Sequence, residues 1–165
     1  MARKSFFSFQ YTPDHWRAAQ VRNMGALEGN APVSDNDWET ITKGGDPAIK
    51  KWIDGQLSGR SCAVVLIGTN TAGRKWINYE IEKAWNDGKG VVGVYIHGLK
   101  NSAEQQATKG SNPFTGIYVG TDKKQLSTIV KTYDAPFSSS TYVYDHIKSN
   151  LAAWVEEAVT IRGKN

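Results

Sequence analysis

The segment "SCAVVLIGTNTAGRKWINYEIEKAWNDGKGVVGVYIH", residues 61–97, decides the fold. It opens on a near-continuous apolar run with several β-branched residues, as expected of a strand covered on both faces, and closes on a second, "VVGVYIH". Between them "RKWINYEIEKAW", residues 74–85, has helical spacing. At roughly 100° per residue, Trp76, Ile77, Glu80, Ile81 and Ala84 fall on one side, with Lys75, Asn78, Glu82 and Lys83 on the other. Strand, helix, strand in this order argues a parallel sheet with right-handed crossovers. Glu82 sits on the charged side as expected, but Glu80 stands in the apolar stripe. A carboxylate against tryptophan and isoleucine either finds a partner or takes a raised pKa, and both situations are commoner in functional clefts than elsewhere.

The same pattern extends outward. "RKSFFSFQ" (3–10) reads as a short strand running into a helix, "YTPDHWRAAQVRN", with Thr12 as N-cap and Pro13 at the first helical position. After a polar, glycine-bearing stretch from 25 to 45, "GDPAIKKWIDGQL" predicts another helix, capped by Asp46, opened by Pro47 and ending near Gly59. From 99 to 120 the chain turns polar and glycine-rich, with a turn at "SNPF". "KKQLSTIVKTYD" (123–134) reads as a strand, paired into a hairpin across "GTD". "YDHIKSNLAAWVEEAV" closes the chain as a helix with Ile147, Leu151, Trp154, Val155 and Ala158 on its packing face. The expected architecture is α/β, doubly wound, with a mainly parallel central sheet, and 165 residues fit one domain spanning 1–165.

Composition narrows the function. The formal charge of +4 is mild and the cations are scattered, so no basic stripe marks a nucleic-acid partner. No segment approaches the roughly 18 to 20 apolar residues of a membrane span, and "MARKSFFSFQY" lacks the apolar run of a signal peptide. The single cysteine, Cys62, lies in an apolar run and reads as a reduced core thiol. A soluble cytoplasmic protein is expected. There is no GxGxxG after the first strand and no GxxxxGK[ST], which sets aside dinucleotide redox chemistry and P-loop hydrolysis. The first strand ends in "FSFQY" rather than in acids, so receiver-type phosphoacceptor chemistry is not expected. His15, His97 and His146 are widely spaced, and no metal site is predicted. Neither Ser8 nor Ser61 has a base beside it in sequence. What remains is a lone glutamate beside tryptophan, which suits a reaction with a cationic transition state.

The order of elements, and above all "IGTNTAGRKWINYEIEKAW", resembles TIR domains, where a buried-type strand leads through a loop to W-x-x-x-E on the next helix; Trp76 and Glu80 have that spacing. More narrowly, "RKSFFSFQYTPDHWRAAQVRN", "SDNDWETITKGGDPAIKKWIDGQLSGRSCAVVLIGTNT", "GKGVVGVYIH" and "SNPF" resemble the TIR-like branch that includes the NAD-consuming component of Thoeris antiphage systems. The likeness covers most of residues 3–114 and is looser beyond.

The resemblance implies a flavodoxin-like, three-layer fold that binds NAD at the C-terminal edge of its sheet. NAD is then substrate rather than cofactor. Enzymatic family members cleave the bond between nicotinamide and ribose, and the Thoeris branch releases a cyclised ADP-ribose signal for a partner effector protein. Glu80 matches the catalytic glutamate. An oxocarbenium-like ribose is the kind of transition state that glycosidases stabilise with carboxylates. Phe9, Gln10, Tyr11 and Asp14 match the segment lining the nucleotide site. Arg17 is either a phosphate contact or a solvated arginine, and Asp37 and Trp38 either wall the adenine or simply pack. Thr69 and Asn70 end the central strand within reach of a ligand, and Trp76 is either a pocket wall or plain core. The alternative to an enzyme is an interaction module, since many TIR domains act as adaptors that self-associate.

Overall fold

A computed structural model describes residues 3–31 and 35–165, the side chains of residues 35 and 36 excepted. Its centre is a four-stranded, all-parallel sheet in the order β1 (Ser5–Ser8), β2 (Cys62–Ile67), β3 (Gly90–Tyr95), β6 (Thr132–Tyr133). Every residue of β1, β2 and β3 is buried, as their apolar runs require. On one face lie α1 (Tyr11–Arg22) and α5 (Ser140–Gly163); on the other lie α3 (Gly45–Leu57) and α4 (Lys75–Asn86). Strand alternation divides the core accordingly. Phe7, Cys62, Val64 and Leu66 meet α1 and α5, while Phe6, Ala63, Val65 and Ile67 meet α3 and α4. Each fully buried aliphatic side chain here contributes roughly 1.5–3 kcal/mol.

The connections around β1 create the place for a site. After α1, residues 28–30 run along the free edge of β1: Lys4 bridges Glu28 in the parallel sense, the Ser5 N–H donates to the Glu28 carbonyl at 2.9 Å, and the Phe7 N–H donates to Asn30 Oδ1 at 3.0 Å. The chain then passes through α2 (Asp35–Lys43) and α3 to β2, on the opposite side of β1. One connection leaves β1 to the left and the next element returns on its right. A crevice opens at the C-terminal end of a strand where the winding reverses in this way.

Several local readings shift. Helix α1 begins at Tyr11 after Gln10, so Thr12 lies inside it and is not its cap; the Asp14 N–H already donates to the Gln10 carbonyl at 3.1 Å. The polar stretch from 25 to 45 contains α2, which runs almost directly into α3. Gly45, at φ +76°, turns the chain between them, and Gly44 rather than Asp46 precedes α3. Asp46 pairs instead with Lys75 at the start of α4. The "KKQLSTIVKTYD" stretch is broken into pieces: β4 (Tyr118–Val119) and β5 (Lys124–Gln125) make the expected hairpin, a 3-10 turn spans Leu126–Thr128, and β6 joins the main sheet beside β3. The five apolar residues expected on the packing face of α5 are all buried. Among the described residues no helix is long and apolar enough to cross a membrane.

Candidate active site

Ser8 is the last residue of β1 and, like Phe6, faces α3 and α4. Helix α4 lies over that face with Ile77, Ile81, Ala84 and Trp85 buried, and its second turn lowers Glu80 onto the end of β1. The Ser8 hydroxyl donates to Glu80 Oε2. Glu80 is 7% exposed. Burial pushes its pKa up to about 8, and the Ser8 hydrogen bond draws it back only in part. Among the described residues no cation offsets the burial, so the neutral acid predominates at pH 7.

Two cavities meet at this carboxyl, sharing Phe9, Tyr11, Trp38 and Glu80 as walls. The larger, about 290 Å³, is completed by Gln10, Thr12, Arg74, Lys75, Trp76 and Ile77. The smaller, about 40 Å³, runs along the β1 edge to Arg22, Asn30 and Trp52. Larger hollows of about 500 and 600 Å³, beside Arg3 and Glu156 and beside Trp16 and Lys100, are lined mainly by surface side chains and hold no buried acid. Aromatic rings build the mouth of the Glu80 crevice. Tyr11 stacks on His15 with centroids 5.0 Å apart, and Trp38 meets Trp52 edge-on at 5.8 Å. Lys75, paired with Asp46, sits 4.8 Å above the Trp76 ring, and Arg74 adds a cation at the rim.

Of the residues singled out in the sequence, Phe9, Gln10, Tyr11, Trp38 and Trp76 gather round Glu80 in the larger cavity. The others do not line either cavity. Asp14 and Arg17 are both nearly inaccessible and form an ion pair at 3.2 Å. Arg17 also donates to the carbonyls of Leu99 and Gln105, each at 2.9 Å, and to that of Pro13 at 3.3 Å. Its donors clamp the 99–105 loop to α1, so the side chain is neither solvated nor part of the walls of these two cavities. The Asp14 carboxyl packs against Gly68, and burial pushes its pKa up against the pull of Arg17. Thr69 and Asn70 are exposed in the turn after β2, where Thr69 donates to the Thr108 carbonyl and the Asn70 carbonyl accepts from Arg74. Asp37 is exposed on α2, one residue from the wall formed by Trp38.

Sequence reading missed Ser8, Trp52, Arg22, Asn30, Arg74 and Lys75 as neighbours of this crevice. For Ser8 a signal was present: in "FFSF" it shares the inward face of Phe6, a polar residue at a buried strand position and so the counterpart of Glu80 in its helix. Among the described residues no three His, Cys, Asp or Glu side chains are assembled to hold a metal ion.

A parallel sheet covered by helices on both faces, with a buried acid on a W-x-x-x-E helix at the C-terminal end of its edge strand, defines a TIR-like domain. The family model described as "Thoeris protein ThsB, TIR-like domain" matches residues 6–101. A relative from Bacillus cereus (strain MSX-D12), named "Putative cyclic ADP-D-ribose synthase ThsB1", is 38% identical over 133 residues, which cover 76% of this chain and 69% of the relative. The chain belongs to the TIR-like domain family of the Thoeris protein ThsB.

Proposed function

We propose that this protein cleaves NAD at the nicotinamide–ribose bond and closes the remaining ADP-ribose into a cyclic signal for antiphage defence. The observation that carries the reading is Glu80: an acid held out of water at the floor of an aromatic-walled crevice, at the C-terminal end of β1. The name of the 38% identical relative, a cyclic ADP-D-ribose synthase, supports the product class.

In this account the nicotinamide–ribose end enters the crevice and the diphosphate stays at the rim near Arg74 and Lys75. The positive charge of the bound nicotinamide favours ionisation of Glu80, which is neutral before substrate binds. As the bond between C1′ and the ring nitrogen breaks, its electron pair stays with nicotinamide, which becomes neutral. The charge passes to the ribose as an oxocarbenium ion, and the carboxylate stabilises it more strongly than it would in water. Phe9, Tyr11, Trp38 and Trp76 exclude water, so a hydroxyl or ring nitrogen of the same ADP-ribose captures C1′ and closes the ring, and the proton it releases passes to the Glu80 carboxylate. Glu80 is the catalytic residue; Gln10 and the four aromatic residues bind substrate. The signal then leaves the crevice and reaches a partner effector protein in the cytoplasm.

The test is nicotinamide release from NAD, with phage-infected lysate added as trigger, by the wild type and by Glu80→Gln. The account expects release by the wild type and loss of at least about a hundredfold in the variant. Equal release by both, with the variant folded, would overturn it.

A further inference from the structure

The two oxygens of Glu80 are not equivalent. Oε2 accepts the hydrogen bond of Ser8, a residue 1% exposed whose backbone is fixed in the sheet opposite Val65. Oε1 has no hydrogen-bond partner among the described residues, and it is not one of the buried polar atoms sealed from solvent. One oxygen is therefore anchored, and the other opens on the cavities that Glu80 lines.

We propose that Ser8 is a positioning residue for the reaction: its hydroxyl holds Oε2, fixes the carboxyl plane, and leaves Oε1 alone to face the ribose. This rests on the reading of Glu80 as the catalytic acid and assigns the group that aims it. When Glu80 is ionised the shared proton belongs to Ser8, because a carboxylate only accepts. A hydroxyl donating to the charged form favours that form, so Ser8 also opposes the burial that keeps Glu80 neutral. Other charged or titratable groups facing these cavities are Tyr11 and Arg22 from the two ends of α1, and Arg74 and Lys75 at the start of α4. From α2 and α3 come Trp38 and Trp52, which carry no charge.

The test is Ser8→Ala, read in two ways. The first is the pH dependence of nicotinamide release. The second needs no turnover: titration of the Glu80 carboxyl by carbon NMR on labelled protein, assigned with Glu80→Gln. The expected result is a fall in kcat/KM of about tenfold at pH 7, because a hydrogen bond to a charged group is lost. The NMR midpoint of Glu80 and the pH–rate midpoint should both move up by about one pH unit, with rates converging above pH 9. Ser8→Thr, which keeps the hydroxyl, should return both midpoints towards the wild type. An unmoved Glu80 midpoint in Ser8→Ala would overturn the proposal, as would a loss of rate equal at every pH and matched by lost stability. Activity surviving in Glu80→Gln would instead sink the catalytic reading, while the NMR titration would still report whether Ser8 sets the state of Glu80.

Discussion

The rings of Tyr11 and Trp38 stack with centroids 5.9 Å apart and planes 26° from parallel, joining the start of α1 to α2 across the mouth of the Glu80 crevice. A second flat surface beside this pair is what a base or nicotinamide ring would add. Stacking of a base on an aromatic side chain contributes about 1–3 kcal/mol. Trp38→Ala should therefore raise KM for NAD by about tenfold with a smaller effect on kcat, and Trp38→Phe should fall between. Steady-state nicotinamide release at several NAD concentrations measures both. An unchanged KM in Trp38→Ala would remove the aromatic mouth from the binding site.

Burial holds the proton of Glu80 in the folded state to about pH 8, against about 4.5 for an ordinary glutamate. Between these values the unfolded chain has released the proton and the folded chain has kept it. Stability therefore falls as pH rises through that window, by about 1.4 kcal/mol per pH unit at most. Glu80→Gln removes the dependence, so urea unfolding at pH 5 and pH 9 should show the variant gaining on the wild type by a few kcal/mol at the higher pH. A difference identical at both pH values would contradict the buried state of the acid. By the same logic kcat/KM should climb from pH 6 to a plateau above about 8, and kcat should climb at lower pH because the bound nicotinamide cation favours the carboxylate.

Arg17 offers a contrast, since its ion pair with Asp14 is buried and its remaining donors hold two carbonyls of the 99–105 loop. Removing one partner of a buried pair leaves an uncompensated charge and costs about 3–5 kcal/mol. Arg17→Met should lose that much stability in urea. Asp14→Asn combined with Arg17→Met should recover part of it. A loss below 1 kcal/mol would mean that the clamp contributes little.

What the sequence revealed follows from which residues carry a repeating physical constraint. Cys62–Ile67 and Gly90–Tyr95 are buried along their whole length, so their apolar runs announce central strands, and the stripe of α4 announces both its packing face and the misplaced Glu80. Helix α2 looks like a polar stretch in sequence because it lies on the outside, with most of its described side chains exposed and little beyond Trp38 and Ile41 turned inward. The strands β4, β5 and β6 have two residues each, too few for any periodicity to register. The place of Arg17 is not legible in the sequence, because an arginine one turn after an acid looks the same whether it faces a ligand, solvent or a loop. The Ser8–Glu80 contact joins residues 72 positions apart, and only the sheet order makes them neighbours.

Two glycines should respond in opposite directions. A Cβ on Gly90 would lie 2.8–3.0 Å from the backbone of Ala158 and Val159, so β3 and α5 approach closely only because the side chain is missing. Gly90→Ala should force them apart and cost about 1–3 kcal/mol. Gly55, inside α3, has nothing within 4 Å of the same position. Gly55→Ala should stabilise the fold by roughly 0.5–1 kcal/mol. Thermal unfolding of the two variants decides the matter, and Gly90→Ala as stable as the wild type would contradict this packing of α5.

The central claim is that the buried carboxyl of Glu80 drives loss of nicotinamide from NAD and leaves a cyclised ADP-ribose. Mass spectrometry of the small molecules formed from NAD by the triggered wild type and by Glu80→Gln measures it most directly. The account predicts nicotinamide and a product with the mass of ADP-ribose less one water from the wild type, and intact NAD from the variant. The same products from both proteins, or intact NAD from both under every trigger, would contradict it.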